Sequence, residues 1–247
     1  MPRLTDAEKS VLDGREGPLK RVALQFIVDY AEVMGAERLC DVTKAHLFAG
    51  AHHYIDACTS DDIDEVISEM LLCSTEKVSL DCFACYAQAD VGPTDPVRWQ
   101  QLGVSPERHD RNRVILEKYT KAGLYPAATC TPYLSGFLPR MGEHYVSTES
   151  HAVTLMNSLW GACANADGIE AAFCSAVCGK TPLWGNHIMS NRGGTHHFRV
   201  EFTPQNVMEW DLLGYVIGSR TPTHSTPVLS GDLGTPGMVE LKSCFAS

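Results

Sequence analysis

From residue 5 to residue 33 the apolar positions recur at helical spacing. Thr5-Asp6-Ala7-Glu8 is a capping box, a hydroxyl and a carboxylate three residues apart that satisfy two orphan backbone donors at a helix start. The short helix that follows is expected to stop near Gly14. Pro18 then opens a longer helix over residues 18–33, with Val22, Leu24, Phe26, Ile27, Tyr30 and Val33 among its apolar positions, and Gly35 is placed to end it. Residues 38–42 are short and apolar enough for a buried strand. Residues 61–72 read as an amphipathic helix whose first turn carries acids, where the helix dipole favours them. Residues 78–86 suit a further strand, and residues 106–122 a charged surface helix closed by Gly123.

Residues 127–142 break the pattern. Pro132, Gly136 and Pro139 make them a loop, yet one rich in hydroxyls and aromatics. Two helices are expected next, over residues 149–162 and 169–177, with Gly179 and Pro182 breaking the second. Thr203-Pro204 opens a last helix ending near Gly218, and after Arg220 the chain turns to Thr, Pro, Ser and Gly. Strand-like runs alternating with helices predict an α/β fold in layers, with helices packed on a mainly parallel sheet.

Composition narrows the function classes. The 247 residues are 44% hydrophobic and 20% charged, an ordinary globular balance for one large domain or two small ones. A formal charge of −10 with scattered basic residues argues against a nucleic-acid surface, which needs clustered Lys and Arg. No apolar run approaches the roughly 20 residues that span a bilayer, and the N-terminus carries no signal-peptide pattern. The expectation is a cytoplasmic protein with no membrane or nucleic-acid partner. Its ten cysteines should then be reduced and mostly buried as small hydrophobes.

Several motifs could carry chemistry. Cys82-Phe83-Ala84-Cys85 has metal or redox spacing, but two ordinary core cysteines in one strand are favoured over it. His52-His53 and His196-His197 are adjacent pairs, and neighbours on a strand point to opposite faces. Arg192-Gly193-Gly194-Thr195 fits an anion cradle or a tight turn equally well. No dinucleotide, P-loop or nucleophile-elbow motif is present. The informative stretch is Thr129-Cys130-Thr131-Pro132-Tyr133, a loop cysteine held away from regular hydrogen-bond ladders. Glu143 follows within Gly142-Glu143-His144. Then come Glu149-Ser150 at a helix start and Asn157-Ser158 two turns on. Taken alone, caps and a polar helix edge explain this pattern better than a site does.

In order and spacing, Thr129-Cys130-Thr131-Pro132-Tyr133-Leu134, Pro139, Gly142-Glu143-His144, Glu149-Ser150-x-Ala152-Val153, Asn157-Ser158 and Gly161-Ala162 resemble the signature of aconitase X catalytic domains. Residues 179–187, Gly179 to His187, are similar to the segment that follows it. Lys44-Ala45-His46, upstream, resembles the family's Ala-His motif. The resemblance implies an iron–sulfur hydro-lyase, dehydrating cis-3-hydroxy-L-proline or mevalonate 5-phosphate. It implies Cys130 as a cluster ligand, Glu143, Glu149, Ser150, Asn157 and Ser158 as catalytic groups, and His46 and Tyr133 as substrate contacts. It also implies that residues 1–247 are an incomplete catalytic-type domain. The remaining cluster cysteines and a small swivel domain are expected outside this chain. Where the family reads Arg-Thr-Asn-Arg, this chain has Cys163-Ala164-Asn165-Ala166, which favours the hydroxyproline over the phosphate. A non-catalytic relic or interaction subunit that keeps the fold stays open as the alternative.

Overall fold

The computed structural model describes residues 1–48, 83–90, 95, 97–121, 123–127 and 129–247. Expectations for residues 61–72, His52-His53, Cys82 and most of residues 78–86 lie outside the described residues.

The capping box forms. Thr5 Oγ1 accepts the Glu8 N–H at 3.2 Å and Glu8 Oε2 accepts the Thr5 N–H at 2.7 Å, opening α1 (Asp6–Leu12). Helix α2 (Pro18–Val33) follows, with Leu24, Ile27, Val28 and Ala31 buried along one stripe. The remaining elements are β1 (Leu39–Asp41), β2 (Lys44–Phe48), β3 (Tyr86–Asp90), α3 (Pro106–Lys121), β4 (Tyr145–Ser147), α4 (Ser150–Leu159) and α5 (Ile169–Cys178). Then come β5 (Lys180–Pro182), β6 (His196–Val200), α6 (Val207–Arg220), β7 (Pro227–Gly231) and α7 (Met238–Ala246).

Strands β3, β2 and β4 form a parallel sheet in that order, with Lys44 level with Tyr86 and Tyr145, and His46 level with Gln88 and Ser147. Alternation of side chains assigns its two faces. Ala45, Leu47, Ala87 and Val146 join the core under α2 and α5. Tyr145 belongs instead to the core shared with Tyr133, Phe137 and α4. Residues 163–166 extend the sheet beyond β4 through parallel bridges, His144 with Cys163 and Ser147 with Ala166.

The expectation of one mainly parallel sheet is corrected in part. The described strands make a mixed set of three sheets. The three-stranded sheet and the β6–β7 pair are parallel, while β1 pairs antiparallel with β5. The reason is local: Gly179 ends α5 in the left-handed region at φ 69°, which turns β5 straight back along β1. A second correction concerns residues 149–162. The helix stops at Leu159, and residues 161–166 run extended beside β4. The helix expected to open at residue 203 and to be the last starts instead at Val207, because the Asn206 side chain caps it by accepting the Glu209 N–H at 3.1 Å, and α7 follows it.

Helices α6 and α7 meet almost backbone to backbone. A Cβ placed on Gly214 would lie 2.0 Å from the Cys244 carbonyl oxygen, so only glycine permits this approach. Around the contact, Trp210, Leu213, Ile217 and Cys244 form a small core with Val200. No helix among the described residues is long and apolar enough to cross a membrane.

Ile27 is fully buried between α2 and α5. Ile27→Val removes one methyl group from this layer and is expected to cost about 1 kcal/mol of unfolding free energy, measured by chemical denaturation. A loss near zero would mean that the layer is loosely packed.

Candidate active site

The face of the parallel sheet opposite α2 carries the residues of interest, at the carboxyl ends of the strands where α/β sheets place their sites. His46 on β2 is fully buried. Its Nε2 lies 2.9 Å from the Thr129 carbonyl, which can only accept, so Nε2 carries the proton. That leaves Nδ1 to accept from the Ser147 hydroxyl at 3.4 Å, while Ser147 Oγ accepts the Glu149 N–H at 3.1 Å. Burial pushes the imidazole down to about 4, with His151 adding to the effect and the Thr129 carbonyl opposing it. His46 is therefore neutral at ordinary pH. It joins β2 and β4 to the loop that carries Cys130.

That loop is held by its own hydroxyls. Thr129 Oγ1 lies 2.8 Å from Thr131 Oγ1 and accepts the Thr131 N–H at 3.0 Å. Cys130, between them, is exposed. Pro132 then opens a 3-10 turn, Pro132–Ser135, which buries Tyr133. Burial, with a contribution from Cys130, pushes the Tyr133 phenol up to about 12, and its hydroxyl is buried without a hydrogen-bond partner. The Tyr133 ring stacks near Trp160 and meets His151 edge-on, at centroid distances of 6.2 and 6.4 Å.

Glu149 occupies the N-cap position of α4, yet its carboxylate makes no capping bond. His151 Nε2 donates to the Cys130 carbonyl at 2.8 Å, which turns Nδ1 toward Glu149 Oε2 at 3.7 Å. An imidazole lone pair facing a carboxylate is repulsive, so one proton belongs between them. Burial raises the proton affinity of Glu149, against the pull of Lys242. Burial lowers that of His151, helped by Lys242 and opposed by the Cys130 carbonyl. Ser150 follows as the exposed first residue of α4.

Glu143 and Asn157 sit elsewhere. Both Glu143 carboxylate oxygens lie 3.0 Å from Lys44 Nζ, and the Arg140 N–H also donates to this group. Burial works against its charge, but the Arg140 amide, Lys44 and Thr43 together outweigh it and hold the carboxyl below its usual range. Asn157 Nδ2 donates to the Ala164 carbonyl at 2.9 Å, and its Oδ1 accepts the Ala164 N–H at 3.0 Å. This amide pair closes the turn between α4 and the extended segment. Asn157→Ala leaves the Ala164 backbone groups unpaired in a buried place and is expected to cost about 2 kcal/mol, read from the urea midpoint. An unchanged midpoint would show that water replaces the clamp.

Ser158 is exposed and lines a cavity of about 430 Å³ with Asn157, Arg192 and Thr226, between α4 and the α6–α7 pair. The cavity follows the far half of α4, away from Glu149 and Cys130. At the strand ends, by contrast, four groups of altered proton affinity lie in one region, His46, Tyr133, Glu149 and His151. Arg192 is already committed, donating to the carbonyls of Asn157 at 3.0 Å and Gly161 at 3.3 Å and to Cys163 Sγ at 3.1 Å. It serves the turn rather than an anion cradle. His196 and His197 lie on β6 with alternating exposure, and His197 Nε2 meets Ser230 Oγ at 2.6 Å.

Two features escape the sequence reading. His151 fills the unspecified position of Glu149-Ser150-x-Ala152, so the motif gives no sign of it. Cys40, His144 and His187 bring one donor atom each to within 4.8 Å of one another, a cluster able to hold a metal ion. They come from three distant parts of the chain, and only the fold reveals the spacing.

An iron–sulfur cluster ordinarily takes several thiolates. Cys130, exposed beside Glu149 and His151, suits one ligand position. The other described cysteines are spread through the packing, with Cys85 donating to the Ala176 carbonyl at 3.8 Å and Cys178 to the Lys180 carbonyl at 3.7 Å. The described residues thus fit one ligand of a cluster and do not complete the set.

A layered α/β fold with an acid–base pair and a thiol at the strand ends defines an enzyme-like architecture, and comparison gives it a family. Residues 1–190 match the family described as Aconitase X first domain. The fold aligns with the crystal structure of Thermococcus kodakaraensis aconitase X in its holo-form, at a TM-score of 0.78 and 26% identity, covering 99% of this chain and 58% of that one. The chain belongs to the aconitase X family. It is 30% identical over 222 residues to the phosphomevalonate dehydratase large subunit of Methanocaldococcus jannaschii, covering 87% of this chain and 52% of that protein. It is 29% identical over 223 residues to the cis-3-hydroxy-L-proline dehydratase of Pseudomonas aeruginosa, covering 88% of this chain and 36% of that protein. The chain therefore spans about half the length, or less, of these curated relatives.

Proposed function

We propose that residues 1–247 act as one catalytic-type domain of a hydro-lyase that removes water from a small hydroxy acid. The observation that carries this reading is the junction of Glu149, His151 and the exposed Cys130 at the carboxyl ends of parallel strands. The relatives support it, since both curated proteins named above are dehydratases.

Dehydration requires removal of a proton from the carbon beside the hydroxyl. We assign that proton to Glu149, whose burial raises its proton affinity and whose carboxylate is left free of the helix cap. His151 exchanges the proton with Glu149 and holds the Cys130 backbone in place. Ser150 supplies a hydroxyl at the rim, Tyr133 packs beneath His151, and Glu143, Asn157, Ser158 and His46 act through the frame around them. An iron–sulfur cluster, when its ligand set is complete, supplies a Lewis acid for the departing hydroxyl, with Cys130 as this chain's ligand. The remaining ligands would come from beyond the described residues, and a small swivel domain from a partner subunit.

For the substrate we favour cis-3-hydroxy-L-proline. Lys242 acts on both Glu149 and His151, and a single ammonium is a weaker clamp for a phosphate dianion than the bidentate guanidinium that this chain lacks at residues 163–166. The test is anaerobic purification of the protein from its source, with any chains that accompany it. Cis-3-hydroxy-L-proline and mevalonate 5-phosphate are then offered in turn, and products lighter by one water are sought by mass spectrometry. Turnover of the hydroxyproline supports the whole reading. Turnover of the phosphate ester alone replaces the substrate. No turnover of either by an iron-free protein would leave a non-catalytic subunit that keeps the fold.

A further inference from the structure

Cys40, His144 and His187 lie at the other ends of the strands from Glu149. Cys40 is the middle residue of β1, level with Thr181 of β5. His144 immediately precedes β4 and bridges to Cys163, and its carbonyl accepts the Thr43 N–H at 3.3 Å. His187 closes the 3-10 turn Gly185–His187, with its N–H donating to the Trp184 carbonyl at 3.0 Å. Each backbone is fixed by neighbouring elements, so the three side chains converge without help from a flexible loop.

We propose that Cys40, His144 and His187 form a binding site for one zinc-class divalent ion, with the fourth position open to water. Three features of the geometry carry this. First, Nδ1 of His144 and Nδ1 of His187 are 3.1 Å apart, close to the ~3.3 Å edge of a tetrahedron built on zinc–nitrogen bonds of about 2.05 Å. Second, His187 is only 2% exposed, and its Nε2 is buried without a hydrogen-bond partner. Third, the Cys40 thiol is held only by a weak bond to the Thr181 carbonyl at 3.6 Å, which a metal can displace.

The donor set chooses the ion. One thiolate with two imidazoles is too soft for calcium or magnesium and matches zinc. A bound ion would tie β1, the entry to β4 and the turn after β5 to one point. That role is structural, and it rests on no part of the hydro-lyase reading.

The test uses the purified protein, stripped with a chelator and titrated with zinc and, in parallel, with cobalt(II) as an optical probe. One equivalent of zinc is expected to bind, and cobalt(II) should give a thiolate-to-metal charge-transfer band. Zinc should also protect Cys40 from alkylation while Cys130 remains reactive, read by peptide mass spectrometry. C40S and H187Q should each lose the binding, while C130S should keep it. Should C40S or H187Q fail to fold, the alkylation pattern of the unsubstituted protein decides alone. Equal labelling of Cys40 with and without zinc, or zinc binding lost in C130S and kept in C40S, overturns the site and leaves a hydrogen-bonded histidine pair.

Discussion

Glu149→Gln is expected to lower turnover of the complete enzyme by on the order of 10²–10⁴, the span that a positioned proton-transfer group contributes. The substitution keeps the shape and removes the titration. Since the Glu149 side chain makes no capping bond to α4, folding stability should change little. The pH profile separates a base from a merely structural group. Burial raises the proton affinity of Glu149, so its basic form, and with it the rate, is lost as pH falls through that elevated range. In the Gln variant this acid limb should disappear from what activity remains. A variant with a fall of less than tenfold and an unchanged acid limb would move the proton transfer to another group.

Asp167 should leave a distinct mark on the pH dependence of folding, opposite in sign to that of the buried, neutral His46. It is 6% exposed, and Tyr30 donates to its Oδ1 at 3.2 Å while Oδ2 is buried without a partner. Burial pushes its carboxyl up to about 7, against the Tyr30 hydrogen bond. Between about pH 4 and pH 7 the folded state therefore holds a proton that the unfolded chain has released. Stability from this group is full below pH 4 and is lost as pH rises to 7. The shift of about three pH units corresponds to roughly 4 kcal/mol. Asp167→Asn retains an acceptor for Tyr30 and removes the titration. The difference in unfolding free energy between the two proteins should therefore move steadily in favour of the variant over that interval. Parallel curves for the two proteins would mean that Asp167 stays ionised in the fold.

The helices were the readable part of this sequence. The capping box at Thr5 and Glu8, the apolar stripe of α2 and the glycines after α3 and α5 all act through neighbours a few residues away. The central strand β2 was not read as one, because the alternation Lys44, Ala45, His46, Leu47 runs over too few residues to stand out. Residues 160–162 read as the end of the helix because Trp160, Gly161 and Ala162 include no proline or charge to break it. The extended form of residues 161–166 depends on bridges to β4 and on the Asn157 clamp, contacts invisible in the local pattern. The candidate site divides in the same way. Cys130, Glu149 and Ser150 stand out by motif, whereas the link from His46 through Ser147 to Glu149 exists only once β2 and β4 pair. The Cys40, His144 and His187 cluster needs the whole sheet system to close.

The near-contact of Gly214 with the Cys244 carbonyl reaches further than packing. Lys242 lies on the same short helix as Cys244, and its charge acts on both Glu149 and His151. The depth at which α7 settles against α6 thus sets how strongly that ammonium is felt at the acid–base pair. A glycine with no chemistry of its own becomes a tuning screw for proton affinity at a distance, and related chains could adjust their working pH by changing helix spacing while every titrating residue stays the same.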